Sequence, residues 1–397
     1  MSAAQNVALY PWFKFLQNLL FWQATWFLFF QSELSAAQAV LIYVFYDLAT
    51  TLLEVPSGYF SDRVGRRITL IISSLAGLVA ALMQAFGSEF WVFALAHAAL
   101  GMHMAFNSGT DSSLLYESLA EEGREDEVEE HELRAWRFGF AALALSAVTG
   151  GAMALIGLRV PYFATAAAFI LVLLVVLRFR EPAQHHRVES EMARLGALNI
   201  TFRKPVLLWL FGLTALMYGF SHLPFIFGQP FILQALERLN LAANAPLVSG
   251  TVTALMMLVS LFTSWLAPTI RKRIGLAGIL LLAFAMQIGL VAGLALTSSA
   301  LAIALLLLRM VPDSFSTAFV QARVQRELPD EVRATYLSIK SLVARILFAG
   351  SLYVASGAAS DVGEMSHAQI STILSGYAFA GLVAFAVLGL TARGRGI

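Results

Sequence analysis

Twelve times along this chain a polar island closes an apolar run of about 20 residues, and that recurrence leaves few folds open. As an α-helix rising about 1.5 Å per residue, such a run crosses the ~30 Å hydrocarbon core of a bilayer. Transmembrane barrel strands would be about 10 residues long with period-two alternation, whereas these runs are longer and apolar on most faces. The spacing therefore predicts an all-α membrane protein. Composition agrees, with 59% hydrophobic and 13% charged residues, against about 25% charged in a soluble domain. An ordinary soluble enzyme, a disordered chain, collagen and a disulfide scaffold are all excluded. The chain has no cysteine, so no thiolate nucleophile, CxxC redox pair or Cys-ligated zinc is available. No cofactor, metal or nucleic-acid partner is expected. The opening MSAAQNVALYPWFKF lacks a basic n-region and a cleavage site, so the first apolar stretch is expected to remain a span.

The spans are expected at roughly 10–30, 37–60, 68–87, 91–116, 136–157, 160–178, 205–235, 246–267, 275–296, 299–320, 335–356 and 369–390. Span 7 is too long to be straight, and Pro224 and Pro230 are expected to kink it or mark its outer end, because each removes a helical hydrogen bond. Of the 26 Lys and Arg residues, 20 fall in the even-numbered loops and the C-terminal tail. Basic residues in short loops stay on the cytoplasmic side, so both termini are expected there. Only Arg159 and Arg238 lie in odd loops, while Lys14, Arg309, Lys340 and Arg345 fall inside spans. The polar stretch 179–204 separates an N-terminal bundle, 1–178, from a C-terminal bundle, 205–397. Its His185 and His186 read as surface residues, and the acidic run Glu121 to Glu132 as a solvated loop.

The halves are weakly alike at a shift of about 210: Asp62-Arg63-Val64-Gly65 matches Lys272-Arg273-Ile274-Gly275, and Ala105-Phe106-Asn107-Ser108 matches Ser314-Phe315-Ser316-Thr317. Two related six-helix bundles suggest a transporter that binds its substrate at midplane and opens to alternate sides.

After span 2 the chain reads Gly58-Tyr59-Phe60-Ser61-Asp62-Arg63-Val64-Gly65-Arg66-Arg67-Ile68-Thr69-Leu70. This resembles the GxxxDxxGRRxxL signature of the major facilitator superfamily, in the loop where that family carries it. The resemblance implies twelve helices in two pseudo-symmetric bundles and a conformational switch built from Gly58, Asp62, Arg63, Gly65, Arg66 and Arg67. In the family, the aspartate faces the start of span 11, here near Arg333, in the outward-open state. Gly58 and Gly65 would permit a close helix approach and a tight turn. Two antiporter patterns survive in altered form: His97-Ala98-Ala99-Leu100-Gly101 stands where RxxxG is common, and Ala142, Ser146, Ala147, Gly150 and Gly151 keep the small residues of GxxxGPxxGG without its proline.

Ionisable residues within spans are functional candidates by default. Asp47 and Glu54 share a face of span 2, and Lys340 and Arg345 lie roughly on one side of span 11. Counted inward, Glu54 lies about 12 Å deep and Lys340 about 10 Å, Asp47 about 22 Å and Arg345 about 18 Å. Glu54 with Lys340 and Asp47 with Arg345 are therefore either ion pairs between the bundles or charges paired within their own. His103, Asn107 and Asp111 form an i, i+4, i+8 stripe on span 4, as do Arg309, Asp313 and Thr317 on span 10. His103 with Asp111 is a proton-carrier candidate. The family's cavity is lined by spans 1, 4, 7 and 10, which by resemblance brings in Gln17, Asn18, Trp22, Trp26, Asn107, Tyr218, His222, Arg309, Asp313 and Thr317. Aromatic rings with scattered amides suit an amphiphilic organic substrate.

The expected function is a monomeric transporter of the bacterial inner membrane, moving such a compound by alternating access and coupled to protons, in the outward direction. The alternatives are an uptake symporter or facilitator on the same fold and, from another class, a non-transporting receptor. Neither HExxH, GxSxG nor a Walker GxxxxGK[ST] occurs, which argues against hydrolysis and ATP-driven pumping.

Overall fold

The computed structural model describes residues 2–182, 204–327, 330–359 and 365–392, and among them every regular element is helical. Span 1 consists of α1 (Ala3–Gln17), a 3₁₀ turn (Phe21–Ala24) and α2 (Trp26–Glu33). Spans 2 and 3 are α3 (Ala36–Val64) and α4 (Arg66–Phe86). Span 4 is divided into α5 (Phe90–Asn107) and α6 (Thr110–Ala120), and spans 5 and 6 are α7 (Val128–Ala154) and α8 (Val160–Leu177). Span 7 is α9 (Pro205–Glu237). Spans 8 and 9 form α10 (Ala245–Leu296), interrupted by the non-helical Gly275. Span 10 starts as a 3₁₀ segment (Ala300–Leu308) and continues as α11 (Val311–Glu327), and spans 11 and 12 are α12 (Asp330–Ser356) and α13 (His367–Ala392). Among the described residues ten helical stretches are long and apolar enough to cross a membrane. The longest of them, Ala242–Leu296, is two spans joined at Gly275, and span 1 is split into shorter pieces, which gives twelve.

The chain divides into two compact units, Met1–Arg187 with Pro246–Ala254, and Val188–Ala245 with Leu255–Ile397. Most of the linker expected at 179–204, with His185 and His186, lies outside the described residues.

The interior of the first unit is sorted along its length. Near the 2–3 loop it is closed by Tyr10, Phe13, Leu114, Phe169, Val176 and Phe179. At the other end Trp26, Phe29, Phe30, Phe93 and Tyr162 form an aromatic cluster, and Trp26 and Phe30 pack against His97. Large apolar side chains such as Leu52, Val55, Trp91 and Leu95 point outward, as a lipid-facing surface requires. Small polar residues turn inward and use their hydroxyls between spans: Ser57 Oγ donates to the Ala105 carbonyl at 2.8 Å. In the second unit Trp209 Nε1 donates to the Leu388 carbonyl at 3.0 Å and Tyr336 Oη to that of Leu207 at 2.7 Å. In hydrocarbon every such group must find its partner inside the protein.

Two sequence expectations are corrected. Span 1 is not one helix over 10–30, because it breaks between Asn18 and Leu20. There the Phe21 N–H donates to Thr165 Oγ1 of α8 at 3.1 Å, which replaces a lost helical bond. Gly150 makes the break possible, since a Cβ at that position would collide with the Phe21 carbonyl. Span 4 breaks at Ser108-Gly109, where Gly109 is left-handed with φ +75°. Span 7 runs as expected over both prolines: of the two roles open to Pro224 and Pro230, an end of the helix is excluded, since both lie inside α9, which runs on to Glu237.

The internal repeat has a backbone counterpart. Gly65 closes α3 at φ +113°, ψ +158°, and its sequence match Gly275 interrupts α10 at φ +78°, ψ 178°. Only glycine adopts this region without strain. Gly58 differs: it is exposed on a helix, and a Cβ there meets open space, so it makes no close approach within its unit. Gly65→Ala is expected to lower stability by roughly 1–3 kcal/mol, because the new Cβ is strained and sits 2.7 Å from the Glu181 carboxylate. Gly58→Ala should be neutral or slightly stabilising. Thermal unfolding of the two variants in detergent, side by side, tests the contrast.

Candidate functional site

The turn at Gly65 organises a charged network. Arg66 Nη1 donates to Asp62 Oδ1 at 2.6 Å and to Ser61 Oγ at 2.8 Å, while its Nη2 meets Glu117 Oε1 of α6 at 2.9 Å. The Arg66 and Arg67 backbone N–H groups at the start of α4 donate to the two oxygens of Glu181, at 2.5 and 2.8 Å. A carboxylate at a helix N-terminus satisfies orphan donors and complements the helix dipole. It is thus Glu181, beyond span 6, that caps α4, whereas Asp62 is mostly exposed and pairs with Arg66 one turn away. Arg67 Nη2 reaches the Leu177 carbonyl at 2.8 Å, and Arg63 lies 4.4 Å above the Tyr59 ring. Asn6 ties α1 to the same corner through Ser118 and the backbone of Arg180. Glu117, Glu181 and Asn6 were not singled out from the sequence. No local pattern marks them, because each acts on a residue more than 50 positions away.

Within the spans of the first unit the central feature is an ion pair between Lys14 of α1 and Asp111 of α6. The Asp111 side chain is 5% exposed and that of Lys14 22%. Asn107 Nδ2 donates to Asp111 Oδ2 at 3.1 Å, and the Ser112 N–H to Asp111 Oδ1 at 2.8 Å. Lys14 also lies 5.8 Å from the Tyr10 ring centroid, and Tyr10 Oη donates to Glu132 of α7 at 3.2 Å. Asn18 donates to the Lys14 carbonyl at 2.7 Å. Spans 1 and 4 therefore meet at Asp111, next to the break in span 4, and Tyr10 links span 1 to Glu132 of span 5.

The stripe His103, Asn107, Asp111 is not continuous, because Gly109 turns the chain between its members. His103 is held by Ser73, whose carbonyl and hydroxyl each lie 2.9 Å from Nδ1, and it packs edge-on to Phe169 at 4.9 Å. The partner of Asp111 is Lys14, which the sequence placed inside a span without a partner. Gln17 is buried, and Trp22 stacks on Tyr162 at 6.4 Å. Trp26, 1% exposed, packs into the aromatic end of the unit. Asp47 is fully buried on α3 and Glu54 half-buried two turns on. Gly101, the glycine kept from RxxxG, lets span 4 approach span 2, since its Cβ would lie 2.6 Å from the Tyr46 carbonyl.

In the second unit Tyr218, His222 and Phe348 form a ring cluster beside Arg345, and Arg309 lies over Phe225. Asp313 sits in the first turn of α11, within the field of Arg309. Thr317, four residues on, is exposed. Lys340 is half-buried on α12.

Residues 11–352 match the family model described as Major Facilitator Superfamily. No curated protein matches the sequence. The fold resembles solved transporters at low identity. The nucleoside transporter NupG superposes with a TM-score of 0.77 at 15% identity, covering 98% of this chain and 99% of that one. The peptide transporter POT gives 0.69 at 12%, over 99% and 96%. A bacterial homologue of the human lysosomal transporter Spinster, in an inward-facing and occupied conformation, gives 0.68 at 17%, over 98% and 96%.

The ion pair makes a testable statement about stability. Lys14→Gln and Asp111→Asn should each cost about 1–3 kcal/mol, below the ~3–5 kcal/mol of a fully dry pair, because Lys14 is partly exposed. The double variant should cost less than the sum of the two. Additive unfolding shifts in the cycle would show that the charges do not interact. With a family model spanning most of the sequence and transporters matching the fold from end to end, this chain belongs to the Major Facilitator Superfamily.

Proposed function

We propose that the chain is a secondary active transporter that moves a small amphiphilic organic compound by alternating access, with protons coupled through Asp111. The observation that carries this reading is the Lys14–Asp111 pair, a carboxylate and an ammonium held within membrane spans beside a broken helix. Ionised Asp111 is matched by Lys14, Asn107 and a backbone amide. A proton on Asp111 removes the charge that Lys14 faces, and a lone cation within a span is costly. Protonation thus favours whichever arrangement of the helices gives Lys14 water or another anion. A site whose two protonation states prefer different conformations is what coupling requires. His103, held by Ser73 and Phe169, serves the packing of span 4 in this reading. The solved relatives are named for carrying nucleosides and peptides, which agrees with an organic substrate.

In the same reading the protein works as a monomer in the bacterial inner membrane, with both termini cytoplasmic, and the loop from Gly58 to Arg67 times the conformational cycle. The outward direction rests on span 5, whose Ala142, Ser146, Ala147, Gly150 and Gly151 resemble the antiporter pattern. The proline missing from that pattern favours a second reading, an uptake symporter.

Purified protein in liposomes with an imposed pH gradient separates the two by the direction of coupled flux. Asp111→Asn should reduce gradient-driven flux by at least about tenfold, the factor that corresponds to ~1.4 kcal/mol, while substrate exchange at equal pH continues. Gradient-driven flux at wild-type rates in this variant would move coupling away from Asp111.

A further inference from the structure

The loop between spans 8 and 9 repeats the turn of the first unit without its acids. Around Gly65 the charges are matched, Arg66 by Asp62 and Glu117, and the start of α4 by Glu181. Just before Gly275 stand Arg271, Lys272 and Arg273 in succession. Among the described residues, no side chain of the three takes part in an ion pair or a hydrogen bond; the contact that Arg271 makes is with the Phe319 ring. Glu327, which stands 210 residues after Glu117, is taken up by Arg323 at 3.2 Å and Lys204 at 3.5 Å. Where Glu181 follows span 6, the stretch after span 12 reads Thr391-Ala392-Arg393-Gly394-Arg395 and adds cations instead. Neighbouring like charges repel, and the second unit offers this triplet no matching acid among the described residues.

The three cations do not share a direction. α10 is regular from Ala245 up to Gly275. At about 3.6 residues per turn, Lys272 and Arg273 continue the stripe of Leu258, Phe262, Trp265 and Leu266. Arg271 falls on the opposite side, where its guanidinium lies 4.8 Å from the Phe319 ring of α11. The stripe is open, with Trp265 68% and Phe262 59% exposed, and on a helix that crosses a bilayer an open apolar stripe faces lipid. Lys272 and Arg273 are exposed too. They stand two turns beyond Trp265, about 10 Å along the axis, and tryptophan is enriched where hydrocarbon gives way to headgroups. Both cations are therefore presented at the membrane edge on the lipid side of span 8.

We propose that Lys272 and Arg273 form a docking site for the phosphodiester of an anionic phospholipid, whose acyl chains run along Phe262 and Trp265. A zwitterionic headgroup brings an ammonium that finds no carboxylate here, so a headgroup with net negative charge is selected. Juxtamembrane cations attract anionic lipid in proportion to their number. This site holds whatever the chain carries across the membrane. The competing account is that the basic residues only fix the loop on its side during insertion, and it predicts no discrimination among lipids by the folded protein.

Purified full-length protein in a neutral detergent at about pH 7.5 is titrated with phosphatidylglycerol, phosphatidylcholine and phosphatidylethanolamine of the same acyl chains, and with inorganic phosphate, while its unfolding temperature is followed. Phosphatidylglycerol should act at a concentration about tenfold lower than the two zwitterionic lipids, and phosphate should not replace it. Raising the salt from about 0.1 to about 0.5 M should weaken the response. In Lys272→Gln/Arg273→Gln the phosphatidylglycerol concentration for half the effect should rise about tenfold or more, whereas Lys272→Arg/Arg273→Lys should keep it. Arg137→Gln/Arg178→Gln, which removes two exposed cations from the first unit, should respond as wild type does. If the glutamine pair does not fold, Arg273→Gln alone carries the comparison. The proposal is overturned by no response to phosphatidylglycerol, by an equal response to the three lipids, by phosphate acting as strongly as the lipid, by an unchanged response in the glutamine variants, or by an equal loss in the first-unit control.

Discussion

Everything else in this structure depends on the demand that hydrocarbon makes of the backbone. A peptide group inside a span must find its hydrogen-bond partner in the protein, so a break in a helix survives only where another element answers it. Span 1 breaks where Thr165 of α8 accepts the Phe21 N–H and where Gly150 of α7 leaves room for the Phe21 carbonyl. Span 4 breaks at a left-handed glycine, and span 10 changes from 3₁₀ to α-helix after Leu308. In each unit a carboxylate stands in the first turn of the helix that follows such an irregularity, Asp111 in α6 and Asp313 in α11. Each also has a cation close by, Lys14 in one case and Arg309 in the other. Asp111 and Asp313 are thus found where the backbone is irregular, which is where a half-helix terminus can hold them, whereas Asp47, Glu54, Lys340 and Arg345 lie within continuous helices.

The two halves share a backbone turn and differ in its charges. Gly65 and Gly275 adopt the same rare conformation at matching positions of the repeat. Around Gly65 the cation of Arg66 is met by Asp62 and Glu117, and Glu181 closes the helix start. Around Gly275 the matching residues are Lys272 and Arg273, preceded by Arg271, which lies 4.8 Å from the Phe319 ring. The turn is a requirement of geometry and has been kept. The carboxylates are a requirement of whatever the first loop alone does.

How much of this could be read from the sequence follows from the range of each interaction. The spans were legible because apolar length is a local property, and the Gly65 turn because six residues around it spell a signature. Gly275 was legible only as its partner in the repeat. The breaks were not legible: nothing between Asn18 and Leu20 is a proline or glycine, and the groups that repair the break lie far along the chain. Pro224 and Pro230, read as a kink or an outer end, stay inside a helix. The stripe on span 4 misled for the same reason, since an i, i+4, i+8 rule assumes a helix that Gly109 interrupts. Lys14 was visible as a charge in a span, but its partner is 97 positions away, and sequence separation of that size carries no signal without a backbone to fold it.

The chemistry of the two units then suggests a division of labour. In the first, the charges of Lys14 and Asp111 meet as a compact pair. In the second, arginines cannot give up their charge near neutral pH, and Arg309 and Arg345 each lie against an aromatic ring. In the transport reading proposed above the pair would answer to proton concentration, whereas a permanent cation does not, even though the spans of the two units are related by a repeat. In that reading a proton at Asp111 and an organic substrate would favour opposite arrangements of the helices, and free energy would pass between them to the extent that each ligand discriminates between the two arrangements.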